Sequence, residues 1–348
     1  MSINTNANTN ADTPLVELQD VKKHFPIRQS LADWLRRKPR RYVYALDGVS
    51  FTVPKGKVLG LVGESGCGKS TTGLILSLLE SPTAGRYRFD GVDPLTLRGA
   101  ALKRFRRRTQ VIFQDPYQTL NPRLTIADTL MEPLKIHGLG ANDAERRKMC
   151  GAVLRQVGLP ESYLDKFPHE LSGGQRQRVA IARAVILNPD LIVADEPISM
   201  LDVSIRSSIL NLMLRLKAEL EATFIFITHD LASARYICDE IAVMYLGRVV
   251  EQGPADEVIQ NPSHPYTQLL LASVPDPRPG AERPAVEASG EPPNPANVPP
   301  GCPFHPRCPH AMDVCRQGAV PRHPVSSVHW AACHLLDIPS ASEEPASP

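Results

Sequence analysis

This 348-residue sequence has no large excess of charge of one sign, no long apolar run and no secretory signal at its start. The 39 Lys and Arg residues nearly balance 37 Asp and Glu residues, so the net charge of +2 gives no case for nucleic-acid binding. No run of about 18 apolar residues occurs, so no transmembrane helix is expected. The segment 1–13 is polar and lacks the basic and apolar regions of a signal peptide. These absences predict a soluble intracellular protein.

Disulfide bonds are not expected either, although the chain has seven cysteines, because the cytosol keeps thiols reduced. Cys67, Cys150 and Cys238 are scattered and need only a packing role. The other four cysteines, at positions 302, 308, 315 and 333, are close together near the end of the chain.

The chain from residue 15 to about 275 alternates short apolar runs with helical patterns, which indicates an α/β domain. Its strand candidates lack polar alternation, as strands of a buried parallel sheet do. They are Val58–Val62, Val111–Phe113, Leu191–Ala194, Thr223–Thr228 and Ile241–Met244. Residues 1–14 are predicted to be a disordered tail, 276–300 a flexible Pro-rich linker, and 301–348 a small Cys-containing extension. No internal repeat is present, so the chain holds one catalytic unit.

A phosphate-binding loop follows the first of these strands. The sequence fits G-x-x-x-x-G-K-[ST] and leads into a helical pattern, which is the context that the motif requires. Backbone N–H groups of such a loop surround the phosphates, the Lys neutralises their charge and the hydroxyl residue can bind Mg²⁺. The residues are Gly63, Glu64, Ser65, Gly66, Cys67, Gly68, Lys69 and Ser70, followed by Thr71.

Two carboxylates end the apolar strand Leu191–Ala194. Paired with a phosphate loop, Asp195 is predicted to hold Mg²⁺ and Glu196 to be the general base for the attacking water. Without Lys69, such an Asp-Glu pair would more often be a solvated turn.

A second anion-binding helix start lies at Leu171-Ser172-Gly173-Gly174-Gln175, where Ser172 is predicted to cap the helix. A second anion site is redundant within one chain that already has a phosphate loop. The redundancy disappears if Ser172, Gly173, Gly174 and Gln175 bind the nucleotide of a partner subunit. A plain capped helix start is the alternative.

In this order and spacing, the three motifs resemble the ATPase subunits of ABC transporters. The resemblance covers about residues 15–260 and implies a P-loop NTPase core with an antiparallel β subdomain and a helical subdomain, at about 115–180, that docks on a permease. It also implies that Gln114 contacts Mg²⁺ and water, and that His229 contacts the γ-phosphate. The resemblance further implies that Asp202 lies in a loop that crosses the dimer interface, where Met200 stands in place of the family's usual Ala. Phe25 is the residue expected to stack on adenine, with Tyr42 or Tyr44 as alternatives.

A narrower resemblance concerns the transported solute. The segments 113–123 and 261–267 and the terminal cysteines are similar to the dipeptide and oligopeptide importer ATPases, closest to the dipeptide type. This implies a prokaryotic protein at the cytoplasmic face of the plasma membrane, partnered by two permease subunits, a sister or identical ATPase and, indirectly, a substrate-binding protein. Some relatives carry nickel or other small solutes. A basic insertion at 29–41 is read as a solvated loop, with contact to anionic lipid as the alternative.

The terminal cysteines Cys302, Cys308, Cys315 and Cys333 are separated by five, six and seventeen residues, unlike the paired spacing of a zinc ribbon. Four thiolates can form a metal clip that stabilises a small module. The family resemblance implies a [4Fe-4S] cluster. Zinc is the alternative, with a histidine replacing one ligand, and buried free thiols are the plain reading. The available histidines are His305, His310, His329 and His334.

Functions of other classes fit less well. A DNA-repair or translation ABC ATPase would have a long coiled-coil insertion or two ATPase units, and neither is found. A P-loop kinase or GTPase would have no use for the Leu-Ser-Gly-Gly-Gln segment. The sequence therefore predicts an ATPase that hydrolyses Mg-ATP to drive a transporter.

Overall fold

The computed structural model describes residues 14–29, 39–273 and 290–337. The predicted tail up to residue 13, most of the basic insertion, the first part of the predicted linker and the last eleven residues lie outside these ranges. Within the described ranges, no helix is both long and apolar enough to cross a membrane.

An eight-stranded sheet forms the centre of the molecule, in the order β10-β11-β9-β8-β3-β7-β6-β5. The five strands β8, β3, β7, β6 and β5 are parallel to their neighbours within this group. All five are strands that the apolar runs predict, and the largely parallel sheet is confirmed. The strands are β3 (Val58–Val62), β5 (Thr109–Ile112), β6 (Leu191–Asp195), β7 (Thr223–Thr228), β8 (Glu240–Tyr245), β9 (Arg248–Pro254), β10 (Arg322–Pro324) and β11 (Trp330–Ala332).

A smaller antiparallel sheet has the order β2-β1-β4. It consists of β1 (Val16–Pro26), β2 (Tyr42–Val53) and β4 (Ala84–Phe89). This sheet is the antiparallel β subdomain that the family resemblance implies.

Ten α-helices are described. They are α1 (Lys69–Leu76), α2 (Gly99–Arg108), α3 (Pro116–Thr119), α4 (Ile126–His137), α5 (Asp143–Gln156), α6 (Gly173–Val185), α7 (Val203–Leu220), α8 (Leu231–Ile237), α9 (Ala255–Gln260) and α10 (Pro265–Ala272). Helices α4, α5 and α6 pack on one another and form the helical subdomain. Thr125 begins α4 with a capping box to Asp128, and Gly138 ends it in the left-handed conformation.

The core has two parts, one on each face of the central sheet. In β7, Phe224 and Phe226 belong to the part shared with the helical subdomain, whereas Ile225 and Ile227 face the part shared with α1 and the small sheet. This division follows from the period of two along a strand, which sends successive side chains to opposite faces. It explains why these strands are apolar throughout.

The C-terminal extension packs directly on the ATPase body. Trp330 and Ala331 of β11 pair with Gln252 and Glu251 of β9, so the extension adds two strands to the central sheet. The region that follows the predicted linker at 276–300 is therefore in direct contact with the ATPase body. The edge of β9 would otherwise expose unpaired backbone groups, and β11 satisfies them.

Candidate functional site

The phosphate loop connects β3 to α1, and two of its glycines are required by close packing. A Cβ atom on Gly63 would lie 2.2 Å from the carbonyl oxygen of Met244, and one on Gly68 would lie 2.5 Å from that of Ala45. Gly68 also has a φ of +107°, which side chains rarely adopt. Lys69 is buried, and its ammonium donates to the carbonyl oxygens of Gly63 at 2.7 Å and Glu64 at 2.9 Å.

A cavity of about 720 Å³ opens over this loop. It brings together the loop and three residues predicted from other motifs, Gln114, Glu196 and His229. The cavity is lined by Val43, Ala45, Gly63, Glu64, Ser65, Gly66, Gly68, Lys69, Ser70, Thr71, Gln114, Glu196, His229, Leu270, Ser273 and Pro295.

Glu196 accepts two hydrogen-bond contacts from side chains that come from different strand ends. The amide of Gln114 donates to Oε2 at 3.1 Å, and Nδ1 of His229 lies 3.1 Å from Oε1. The backbone of Glu196 has a φ of +45°, and its N–H donates to the carbonyl of Ile227 at 2.9 Å. This hydrogen bond to β7 holds the carboxylate at the end of β6, with one side-chain partner on each oxygen.

Asp195 is partnered with the phosphate loop. The hydroxyl of Ser70 donates to its Oδ1 at 3.1 Å. Burial raises the pKa of Asp195 above its ordinary value, while the Ser70 hydrogen bond acts in the opposite direction. A carboxylate with this desolvation cost is suited to a bound cation, which would supply the missing positive charge.

The donor set fits magnesium, since Ser70, Asp195 and Gln114 provide the hard oxygen ligands that this ion prefers. In the structure, Ser70 forms a hydrogen bond with Asp195, whereas Gln114 forms one with Glu196 and not with these two residues. Across the described ranges, no group of three or more His, Cys, Asp and Glu residues is placed to hold a metal ion.

One end of the cavity is bordered by the small sheet, which carries the aromatic residues predicted to stack on adenine. Val43 and Ala45 of β2 line the cavity, and Phe25 of β1 pairs directly with Val43. Lys23 lies 4.8 Å from the centre of the Phe25 ring. Phe25, Tyr42 and Tyr44 are not among the lining residues, so the choice between these aromatic side chains stays a prediction.

The Leu-Ser-Gly-Gly-Gln segment at 171–175 lies away from this cavity. Ser172 and Gln175 form a capping box at the start of α6, which confirms the predicted cap. None of residues 172–175 is among the lining residues. Gly174 is packed so closely that a Cβ atom would lie 2.8 Å from Ile205. Asp202 is the N-cap residue of α7, and both Asp202 and Met200 are exposed.

The four terminal cysteines occupy one neighbourhood. The N–H of Cys302 donates to the carbonyl of Cys315 at 2.8 Å, and only Cys308 is more than slightly exposed. Burial raises the pKa of Cys333 to about 11, and charge on the other three thiols contributes to this shift. Burial likewise raises the pKa of Cys302 to about 11, with Cys315 and Cys308 adding to the effect.

Three of the four histidines considered as alternative ligands have other partners. The buried ring of His329 bonds to Glu251 at 2.8 Å, and His305 contacts the carbonyl of Cys302 at 2.9 Å. His334 lies 3.3 Å from Asp337, and His310 is exposed.

Several lining residues escaped the sequence analysis. Val43 and Ala45 lie in β2, which pairs with β1, and the apolar pattern at 42–53 could have predicted this strand. Leu270, Ser273 and Pro295 come from the C-terminal part of the chain and had no motif. The carbonyl of Pro295 accepts the N–H of Tyr44 at 3.0 Å, which brings the predicted linker to the cavity.

Comparison with known proteins agrees with this geometry. The family model described as "ABC transporter" matches residues 46–199, and that described as "Oligopeptide/dipeptide transporter, C-terminal region" matches residues 250–315. The chain is 46% identical over 304 residues to the dipeptide transport ATP-binding protein DppF of Escherichia coli, covering 87% of this chain and 89% of that protein. It is also 46% identical over 324 residues to the oligopeptide transport ATP-binding protein AppF of Bacillus subtilis, covering 92% and 97%.

Solved structures show the same fold. The dimeric ATP-binding cassette MJ0796, in a post-hydrolysis state bound to ADP and Pi, is 32% identical with a TM-score of 0.60, covering 69% of this chain and 98% of its own. The structure of cbiO1 from Clostridium perfringens, described as part of the ABC transporter complex cbiONQ, is 27% identical with a TM-score of 0.60, covering 72% of this chain and 92% of its own.

Proposed function

The chain belongs to the ATP-binding subunits of ABC transporters, and from that premise we propose that it hydrolyses Mg-ATP to power uptake of dipeptides and oligopeptides through partner permeases. The observation that carries the proposal is the contact of Glu196 with both Gln114 and His229 above the phosphate loop. A hydrogen-bonded carboxylate at this place can act on a water beside the γ-phosphate.

The nucleotide is the substrate of this site. Residues 63–68 surround its phosphates with backbone N–H groups, Lys69 neutralises their charge, and Phe25 stacks on adenine. Ser70, Asp195 and Gln114 would hold Mg²⁺, which spreads the charge that develops on the β- and γ-phosphates. Thr71 follows Ser70 in the first turn of α1, directly after the loop.

Hydrolysis requires a new bond from a water oxygen to the γ-phosphorus and cleavage of the bond to the β–γ bridging oxygen. Glu196 accepts the proton of that water. His229 and Gln114 fix the two oxygens of Glu196, so that the carboxylate is already oriented before the water arrives. His229 also faces the γ-phosphate.

The site is completed by a second ATPase chain, either identical or a sister. Ser172, Gly173, Gly174 and Gln175 lie outside the chain's own cavity and can present the start of α6 to the partner's nucleotide. Asp202 and Met200 lie at the start of α7 and face the same interface. Together they make two composite sites per dimer.

The groove that docks the permease lies between the central sheet and the helical subdomain. It has a volume of about 420 Å³ and is bordered by Leu79, Phe113 and Ile136, which are 57%, 39% and 56% exposed. Exposed apolar side chains around one groove are typical of a protein interface. Phe113 directly precedes Gln114, so an occupant of the groove is one residue from the hydrolytic site.

Peptides are the favoured solute because a dipeptide and an oligopeptide transport ATP-binding protein each match most of the chain. The peptide itself passes through two permease subunits after delivery by a substrate-binding protein, and the ATPase works at the cytoplasmic face of a prokaryotic plasma membrane. The domain division in this proposal is an ATPase domain at 15–275, with its helical subdomain at about 115–180, a linker at 276–300 and the extension from 301.

Cys302, Cys308, Cys315 and Cys333 are proposed as ligands of a [4Fe-4S] cluster, with Zn²⁺ as the competing metal. Four thiols from one small module, three of them buried, are a donor set that suits either. Protein prepared without oxygen should be brown, with about four irons per chain. One zinc and no colour would favour the competing metal, and a metal-free chain that stays folded would exclude both.

The decisive test of the ATPase proposal is Glu196→Gln in the assembled transporter. The neutral amide fits the site but cannot accept the proton, so hydrolysis should fall by about 10²- to 10⁴-fold, the usual contribution of a general base, while ATP binding persists. The control is Glu221→Gln, at an exposed position beyond α7. Parent-level hydrolysis by Glu196→Gln would reject the assignment. ATP-dependent uptake of nickel and not of peptides would retain the ATPase and change the solute.

A further inference from the structure

The second residue of the phosphate loop, Glu64, is held by the C-terminal region. Arg307 donates to both carboxylate oxygens of Glu64, at 2.7 Å and 3.0 Å. The N–H of Glu64 donates to the hydroxyl of Tyr266 in α10 at 2.8 Å. Its carbonyl accepts from Lys69. The side chain and both backbone polar groups of Glu64 therefore all form hydrogen bonds, and two of the partners, Tyr266 and Arg307, lie more than 200 residues away in sequence.

Arg307 is fixed firmly enough to act as a support. Its side chain is only 8% exposed, and the guanidinium lies 5.7 Å from the ring centre of Phe304 and 5.9 Å from that of Tyr245. The hydrogen bonds to Glu64 raise the pKa of Arg307 further above its ordinary value, so the charge is permanent. A guanidinium with a bidentate carboxylate contact keeps one geometry, because its donors form a rigid fork.

Phe304 anchors this part of the extension to the ATPase body. It is 1% exposed, and its ring lies 5.3 Å from the rings of both Tyr245 in β8 and Tyr266 in α10. Tyr245 and Tyr266 are themselves 4.6 Å apart. The aromatic cluster thus connects the extension, β8 and α10 immediately behind Glu64.

The sign of the charge matters at this place. Glu64 lines the cavity that receives the anionic phosphates, and its carboxylate is 28% exposed. An unpaired carboxylate there would repel the nucleotide, since like charges close together in a partly buried site interact strongly. Arg307 neutralises that charge and also restrains the loop.

We propose that Arg307 is a positioning residue through which the C-terminal extension sets the nucleotide affinity of the phosphate loop. The inference rests on the proposed binding of ATP at residues 63–70. Arg307 directly precedes Cys308 and follows Cys302 by five positions, so any rearrangement of the 302–308 segment changes the support of Glu64. ATP binding is thereby coupled to the order of the extension.

The test measures binding of a fluorescent Mg-ATP analogue to the whole 348-residue chain. Arg307→Gln should weaken binding by about tenfold or more, within the usual range of coupling between two sites. Glu64→Gln alone gives the reference affinity of a loop that carries no carboxylate at this position. The double variant Arg307→Gln/Glu64→Gln should recover most of the loss, since the uncompensated carboxylate is gone.

Two further variants distinguish the proposed role of Arg307 from a general loss of folding. Arg307→Lys keeps the positive charge with a less rigid contact, and it should weaken binding by a smaller factor than Arg307→Gln. Arg316→Gln changes an exposed arginine of the same extension and should leave affinity unchanged. Thermal unfolding of each variant shows whether the extension remains folded.

Unchanged affinity in Arg307→Gln would overturn the proposal. So would a double variant as weak as Arg307→Gln alone, because the role would then be only to keep the extension folded. Lys69→Ala separates this result from the proposed function: nucleotide binding that survives Lys69→Ala would reject the phosphate-loop site itself. Loss of binding in Lys69→Ala with parent-like Arg307→Gln would reject the coupling alone.

Discussion

At the scale of single residues, the site is built from side chains that have complementary charge requirements. Lys69 is buried and donates to carbonyl oxygens of its own loop, while Asp195 is partly buried and, among the residues that the structure describes, has the Ser70 hydroxyl as its side-chain hydrogen-bond partner. Burying an ionised group costs free energy unless an opposite charge is nearby. A nucleotide phosphate and a metal ion would supply those opposite charges.

This cost can be measured with Asp195→Asn. The pKa of Asp195 is raised in the folded protein, so its ionised form destabilises the fold, and stability falls as pH rises from the unfolded value through the folded one. Near neutral pH, the amide should therefore raise the Tm of nucleotide-free protein in a chelator. The gain should shrink as pH falls through the raised pKa, because Asp195 itself is then protonated.

The control for this measurement is Asp313→Asn at an exposed position, which should not change Tm. A lower Tm for Asp195→Asn near neutral pH would contradict the desolvation argument. Magnesium-dependent binding of ATP should be weakened in the same variant, because the amide cannot supply a charged ligand.

At the scale of elements, the junction of β9, the 261–264 segment and the extension depends on one carboxylate. Glu251 is fully buried and accepts three hydrogen bonds, from the N–H groups of Ser263 and His264 and from Nε2 of His329. The ring of His329 is also buried. These contacts connect the edge of the central sheet to α10 and to the strand pair β10–β11.

Glu251→Ala should lower the free energy of unfolding by about 3 to 5 kcal/mol, the usual cost of removing one partner from a buried pair. Three donors would lose their acceptor, and residues 322–332 should exchange their amide hydrogens faster. Urea unfolding and hydrogen exchange measure the two effects. Glu257→Ala removes a carboxylate that is 41% exposed and 3.9 Å from His329, and it should cost much less. Equal costs for the two variants would reject the junction.

At the scale of the whole molecule, the predicted nucleotide-binding segments of one chain lie in two separate places. The phosphate loop, Glu196 and His229 share a cavity, and residues 172–175 are not among the residues that line it. If residues 172–175 bind a nucleotide, as proposed, it is the nucleotide of a second chain. The proposal therefore includes pairing of two ATPase chains as a step of the cycle.

A mixing experiment tests this division. Lys69→Ala disables a site in its own chain, whereas Ser172→Arg blocks the start of α6 that is presented to the partner. In a mixed dimer, one site carries both defects and the other is intact, so ATPase activity should return, with one of the two sites of each mixed dimer working. If the chain pairs with a sister ATPase, the two changes are placed one on each subunit. Absence of any recovery would show that Ser172 acts within its own chain.

The sequence alone was enough to predict the ATP-binding motifs and the five central strands. Phosphate recognition uses a short continuous loop, so its residue types and spacing are visible in one stretch of sequence. The same holds for the cap of α6, which Ser172 and Gln175 form within three residues. Buried parallel strands are readable because both of their faces must be apolar.

The tertiary structure decided which distant residues meet. Gln114, Glu196 and His229 follow three different strands, and their contacts depend on the parallel order of β5, β6 and β7. The contact of Arg307 with Glu64 joins residues 243 positions apart, in a region that the Pro-rich composition predicted to be separate. Local composition predicts whether a segment can fold by itself. The surface on which it packs depends on unpaired strand edges and buried charges elsewhere in the chain, and these exist only once the sheet has formed.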